Sequence, residues 1–261
     1  MFQCALGSKL MTQPIELYFW PTPNGLKISI ALEEMGLAYV IKPVAIGKGD
    51  QFKQDFMTIS PNNRMPAIID PDGPGGAPIS VFESGAILQY LGRKTGKFYP
   101  SDERQRVEVD EWLIWQVAGV GPMFGQASHF KNYAPNLVDD PEKIAYGAAR
   151  YNNEVNRLLG VMERRLDGRD YLASAYSIAD IATYPWVKIA GVFGQDMSTF
   201  PRVQAWIDRI AARPAVQKGV AAGAELRRPP PAPGSEEQKQ AAKALFGQTA
   251  ASIDAAVKSA T

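Results

Sequence analysis

Strand-forming sequence is confined to the first third of this chain. Four short β-rich runs lie before residue 83, and from residue 102 onward only helical patterning remains. A shift from mixed to all-helical composition marks a domain boundary, and 261 residues leave room for two ordinary domains. Hydrophobic residues make up 46% of the chain, enough to bury a core, and charged residues 21%, so disordered and fibrous classes are excluded.

The order of elements follows from period and punctuation. Ile15-Glu-Leu-Tyr-Phe-Trp20 alternates and predicts a strand. Pro21-Thr-Pro-Asn-Gly25 breaks it, and 26–35 reads as a helix ended by Gly36. Residues 39–43 predict a second strand and 51–59 a short helix. Residues 67–70 and 79–82 predict two more strands around an Asp70-Pro-Asp-Gly73 turn, followed by a helix over 84–94. The βαβ half implies a parallel pair with a right-handed crossover. The second half is a hairpin backed by a helix. Beyond Tyr99-Pro100-Ser101, the expected linker, helical stretches cover 107–120, 141–166, 178–192 and 203–212. Ser177-Ile-Ala-Asp180 has the form of a capping box that starts a buried helix, with Tyr176 and Ile181 placed as a hydrophobic staple.

Four regions result: a disordered lead over 1–14, a βα-type domain over 15–98, a helical domain over 102–226, and a connector with an extension over 227–261. Arg227-Arg-Pro-Pro-Pro-Ala-Pro-Gly234 excludes helix and predicts an extended polyproline-type connector. The alanine-rich stretch 235–258 is either an extra helix docked on the body or a frayed tail.

Several function classes drop out. A net charge of +1 provides no field for gathering nucleic acid or an anionic membrane. No apolar run approaches the roughly 18 residues of a membrane span. The lead lacks the pattern of a signal peptide, Met11 is a second candidate start, and the expected location is the cytoplasm. With Cys4 as the sole cysteine and His129 as the sole histidine, no internal disulfide, Cys-x-x-Cys pair or His-based metal cage is expected.

Three places invite chemistry. At Thr22-Pro23-Asn24 a hydroxyl and an amide adjoin a helix start, where free N–H groups favour an anion and would lower the pKa of a thiol. The alternative is that these residues only cap the helix. At Met65-Pro66, a cis bond would leave the N–H and C=O of Met65 open to an extended peptide. The alternative is a plain loop proline. At Glu83-Ser84, Ser84 is a natural N-cap whose hydroxyl and N–H suit a carboxylate, while Glu83 suits an ammonium. All three fall at one edge of a thioredoxin-like sheet. In order they offer a thiolate site, a peptide-backbone site and an amino-acid headgroup site, which are the parts of glutathione.

At this level of detail the chain resembles the Nu-class glutathione transferases of bacteria, of the disulfide-bond oxidoreductase type. The matching pieces include Pro21-Thr-Pro-Asn-Gly25, Gly47-Lys-Gly49 with Gln51-Phe52, Ile59-Ser-Pro-Asn-Asn63, Met65-Pro-Ala-Ile68 and Phe82-Glu-Ser-Gly-Ala-Ile-Leu88. Trp115-Gln-Val117, Gly121-Pro-Met123 with Gly125-Gln126, and Ser177-Ile-Ala-Asp-Ile181 extend the match to about residue 216. The resemblance implies an α/β thioredoxin-like N-terminal domain, an all-α C-terminal domain and a homodimer. It implies that Thr22 and Asn24 face the sulfur of glutathione, and that Gln51 holds its glycine end. Met65, ahead of a cis Pro66, would pair with the cysteinyl backbone, and Glu83 and Ser84 would hold the γ-glutamyl end. Arg150 would reach the ligand across the dimer interface; the alternative for it is a solvated helix arginine.

The implied activity is reduction of a small-molecule disulfide: a bound glutathione thiolate attacks it, and a second glutathione or glutathione disulfide shares the site. Cys4 is expected to be too remote to serve, so the ligand supplies the sulfur. A second reading is transfer or lyase chemistry on an aromatic electrophile or thioether. For that reading Trp115, Phe124, His129, Phe130 and Tyr133 are the candidate pocket residues; ordinary core packing, or a surface position for His129, is the alternative. A third reading is a non-catalytic binding protein of the same fold. Relatives of that kind carry Asn/Gln-rich tails, which this chain lacks.

Overall fold

The computed structural model describes residues 13–229, 231–232, 234–251 and 253–254. Cys4 and Met11 lie outside these residues, as does most of the expected disordered lead.

The strands β1 (Ile15–Phe19), β2 (Tyr39–Pro43), β3 (Ala67–Asp70) and β4 (Ile79–Phe82) form one sheet in the order β2-β1-β3-β4. β1 and β2 run parallel and β3 and β4 antiparallel, as the βαβ and hairpin readings require, and an antiparallel β1–β3 pairing joins the two halves. Alternation sorts the faces: Ile15, Leu17 and Phe19 are buried on one side, and Tyr18 turns to the other.

Helix α1 (Pro23–Met35) crosses from β1 to β2, and α3 (Ser84–Thr95) follows β4. Between them α2 (Gln54–Ile59) is shorter than the expected 51–59 helix. Extended Lys53 separates it from a single tight turn over Asp50–Phe52. On that side of the sheet Phe56 packs with Val44, Met65 and Ala67 in a small second core.

The helical region is more broken than its periodicity suggests. α4 (Glu103–Trp115) runs into a wide π turn at Gln116–Val120, then α5 (Gly121–Ser128), then a second π turn at His129–Tyr133. π turns are rare and gather at functional sites. α6 (Pro141–Arg165) is followed by α7 (Ile178–Val187), α8 (Pro201–Ala211) and α9 (Pro214–Ala221). The Ser177–Asp180 capping box forms as expected at the start of α7.

Helix α9, absent from the sequence reading, joins the two regions. It packs on α1, where the Ser29 hydroxyl donates to Gly219 O at 2.7 Å. A Cβ on Gly219 would fall 2.5 Å from the Ile30 Cα, so only glycine permits this approach. Nearby, Arg213 forms a forked pair with Glu34, at 2.5 and 2.9 Å. One hydrophobic core therefore runs from β1 through α1 and α7 to Trp206 on α8.

The extension contains a helix, α10 (Glu236–Phe246), capped by Ser235. It docks on the tight turn Ile46–Lys48, with the Ala241 methyl 3.5 Å from where a Gly47 Cβ would stand. Of the two expectations for 235–258, docking holds through Phe246.

Candidate active site

Where the sheet edge meets α5, a cavity of about 410 Å³ opens, a size suited to a small ligand. Asn24, Lys27, Arg64, Glu83 and Ser84 line it from the sheet side. Val117, Gly121, Pro122, Gly125, Gln126, His129 and Trp186 line it from the helical side, and Phe246 closes over it from α10. A smaller hollow of about 240 Å³ between α5 and α6, lined by Ala127, Ala148 and Phe193 with Lys131 and Asn152, brings together no comparable set of polar groups.

Local rules explain how the sheet side is built. Thr22 is the N-cap of α1 and accepts from the Gly25 N–H at 3.4 Å. Its own hydroxyl lies 3.5 Å from the Met65 sulfur, and Thr22 does not itself line the cavity. Asn24, in the first turn of α1, does line it. Its carbonyl accepts from the Trp186 indole N–H at 3.0 Å, which leaves the amide N–H groups free to donate.

The Met65–Pro66 bond is cis. Neither main-chain polar group of Met65 has a hydrogen-bond partner among the described residues. Ser84 departs from expectation: the N-cap of α3 is Glu83, and Ser84 is the first helical residue. Glu83 sits at φ 66°, a conformation that non-glycine residues seldom adopt. Its carboxylate accepts from the Asn62 amide at 2.9 Å. No side chain caps α3, so its first N–H groups remain open to a ligand.

Gln51 is buried, but α10 already engages it. Its amide donates to Ile46 O at 3.0 Å and to Ala244 O at 3.4 Å, while its Oε1 has no partner. A ligand can take the second of these amide bonds only if α10 yields.

The five aromatic-pocket candidates separate. His129 lines the cavity and Tyr133 stands behind it, both against Phe246, at ring distances of 4.5 and 4.8 Å. Burial lowers the His129 pKa by disfavouring the charged ring. Phe124 is fully buried against Trp186 and Phe193. Phe130 stacks on Tyr151 and fills the space beside Gly147. Trp115 packs edge-on against Trp112 at 5.2 Å. These three pack within the helical region and do not line the cavity, because the π turns rotate Val117, Gly121 and Gly125 toward it instead. Arg150 is exposed on α6, pairs with Glu154 at 3.7 Å, and is outside the cavity of its own chain.

Lys27 was missed as a site residue. Residues 25–32 of α1 are buried on every side, so a lysine among them had to be a buried cation. Its ammonium donates to Ser84 Oγ at 3.2 Å and to Gln116 Oε1 at 2.7 Å. Burial lowers its pKa to about 7, against the opposing pull of Glu83. Gly121-Pro122 and Gly125-Gln126, distinctive in sequence but without an assigned role, prove to be cavity wall.

Family patterns match both regions: "Glutathione S-transferase, N-terminal domain" over residues 13–93 and "Glutathione S-transferase, C-terminal domain" over 128–214. The chain belongs to the glutathione S-transferase family. It is 47% identical over 203 residues to the disulfide-bond oxidoreductase YfcG of Escherichia coli, spanning 77% of this chain and 92% of that protein. It is 38% identical to YghU, a disulfide-bond oxidoreductase of the same organism, over 79% of this chain and 74% of that one.

Among solved structures, a Pseudomonas putida glutathione transferase with one glutathione disulfide per subunit aligns with a TM-score of 0.75 and 43% identity, covering 83% of this chain and 94% of that one. A Burkholderia graminis glutathione transferase with two glutathiones per subunit aligns with a TM-score of 0.75 and 45% identity, covering 80% and 88%. Among the described residues no helix is long and apolar enough to cross a membrane.

Proposed function

We propose that this chain is a glutathione-dependent disulfide reductase of the bacterial Nu class. The observation that carries the reading is the cavity itself. It joins free amide donors at Asn24, an uncapped helix start at Ser84 and a carboxylate at Glu83, and its lining among the described residues includes no cysteine. Names of relatives support it: two are disulfide-bond oxidoreductases, and two related structures hold glutathione disulfide or paired glutathiones.

What supports the tripeptide assignment is that the Met65 backbone, the α3 N-terminus and Gln51 Oε1 have no hydrogen-bond partner among the described residues. When bound, two glutathione thiols supply two electrons and two protons, becoming glutathione disulfide as a small-molecule disulfide becomes two thiols. Asn24 donates an N–H toward the sulfur position and stabilises negative charge there. Thr22, whose hydroxyl already meets one sulfur at Met65, turns to donate to a second. Neither residue titrates near neutral pH, so both act by hydrogen bonding rather than as bases. Met65 pairs with the cysteinyl backbone, Ser84 takes the γ-glutamyl carboxylate, Glu83 its ammonium, and Gln51 the glycine end. Pro66 holds the Met65 backbone at the sheet edge.

The reading includes a homodimer. Val107 and Ile114 on α4 and Tyr146 on α6 are exposed apolar side chains. Tyr146 shares a helix face with Arg150, four residues on, which supports a role for Arg150 at a partner's ligand.

A second reading, attack on an aromatic electrophile or cleavage of an aromatic thioether, draws on one observation: the cavity mouth is walled by His129, Tyr133 and Phe246. Steady-state assays of the purified protein with glutathione against a small disulfide, an activated haloarene and an aromatic thioether separate the two. Turnover confined to the disulfide is the expected result. Thioether cleavage with weak disulfide turnover establishes the second reading instead, and binding without any turnover rules out both.

A further inference from the structure

Lys27 carries the inference, and it rests on the glutathione reading above. The side chain is 2% exposed, and its two hydrogen-bond partners are both neutral. An ammonium has three N–H donors, so one is left over. Among the described residues Lys27 makes no ion pair, and the nearby Glu83 carboxylate is bonded to Asn62 instead. A buried positive charge that feels the Glu83 carboxylate without pairing to it is costly, and an arriving anion relieves that cost.

The partners point the same way. Because Ser84 Oγ accepts from Lys27, the Ser84 O–H is turned to some other acceptor, and the described residues supply none. That hydroxyl and the uncapped N–H groups of α3 face the same cavity. On the other side Gln116 is fully buried, and its Nε2 has no partner among the described residues. It lies against Gly121, a wall residue, where a Cβ would approach to 3.2 Å. The π turn over Gln116–Val120 thus brings a rigid acceptor from the helical region to hold the ammonium in place.

We propose that Lys27 is a ligand-anchoring residue, the internal counter-charge for the α-carboxylate of a γ-glutamyl group, and that it orients the Ser84 hydroxyl to donate to that carboxylate. The competing account is a neutral strut between two regions of the fold, which predicts equal losses for every ligand.

Calorimetric binding of three peptides decides between them: glutathione, the analogue γ-aminobutyryl-cysteinyl-glycine, which lacks only the α-carboxylate, and the thiol-free γ-glutamyl-2-aminobutyryl-glycine. Lys27→Met should weaken glutathione and the thiol-free peptide roughly ten- to hundred-fold, the worth of hydrogen bonds to a charged group. It should change the decarboxylated analogue less than about two-fold. Gln116→Glu guards against misfolding of the first variant, because it gives Lys27 a counter-ion within the fold. It should retain the wild-type melting temperature or raise it, yet show the same selective loss. Equal weakening of all three peptides in both variants overturns the proposal. So does a loss that spares the thiol-free peptide, which would assign Lys27 to the thiolate. If the wild-type protein binds none of the three, the glutathione reading itself fails, a separate outcome.

Discussion

Asp180 and Lys27 are both deeply buried ionisable side chains, and the fold treats them in opposite ways. Asp180, at the start of α7, accepts four hydrogen bonds: from the N–H groups of Leu172 and Ser177 at 3.0 and 3.1 Å, the Ser177 hydroxyl at 3.3 Å and the Trp206 indole at 2.9 Å. The chain fills its capacity. Lys27 has two neutral acceptors, a leftover N–H and a cavity beside it. Burial opposes both charges, raising the Asp180 pKa to about 6 and lowering that of Lys27 to about 7. The lesson is that burial alone does not mark a site. A charge saturated by its own chain serves the fold, and one left partly unsatisfied beside a cavity serves a ligand.

The largest test of that contrast is Asp180→Ala. It strands four buried donors and should cost on the order of 3–5 kcal/mol in urea unfolding. Glutathione affinity of the folded fraction should be unchanged. Asn24→Ala probes the opposite pole. Disulfide turnover should fall about a hundred-fold, as for loss of one donor to developing charge, with stability altered by less than ~1 kcal/mol. Unchanged turnover would remove Asn24 from the mechanism. Trp186→Phe, which frees the Asn24 carbonyl, should give a smaller loss in the same direction.

The pH dependence of stability separates the pair by window. Between about pH 7 and 10.5 the unfolded chain binds a proton at Lys27 that the ligand-free native state does not, so this residue makes stability rise with pH there. For Asp180 the native state holds the extra proton between pH 3.8 and about 6. Its contribution is full below that window and is lost as pH rises through it. Urea midpoints across pH should show the alkaline slope flatten in Lys27→Met and the acid slope change in Asp180→Asn. The smallest effect belongs to Phe246→Ala. This residue is 43% exposed, and its loss should move stability by ~0.5 kcal/mol or less. It should alter kcat/KM for bulky aromatic substrates more than for small disulfides.

Much of the fold was legible because its signals are local. Alternation marked β1, Gly36 closed α1, and Ser177 with Asp180 formed the box expected of them. Errors arose where a neighbour decided the outcome. Ser84 has the chemistry of an N-cap, but its hydroxyl was taken by Lys27 and the cap position passed to Glu83. Trp115, Phe124 and Phe130 have the composition of a pocket, yet two π turns direct smaller residues to the cavity and leave the large rings to pack. Helix α9 went unread, although the close approach of its Gly219 to Ile30 and Ser29 helps fix the two regions together.

By itself the sequence determined the two-region plan, the parallel pair implied by βαβ and the hairpin implied by ββα, and it pointed to Thr22, Met65 and Ser84 as stations for a ligand. Periodicity and capping act within a few residues, so the chain displays them directly. Only the tertiary structure decided what those stations face. Lys27 reaches partners 57 and 89 residues away, and Phe246 comes from the far end of the chain to stand against His129. The reason is physical: an apolar or polar pattern states which face of an element is buried, and packing alone states against what.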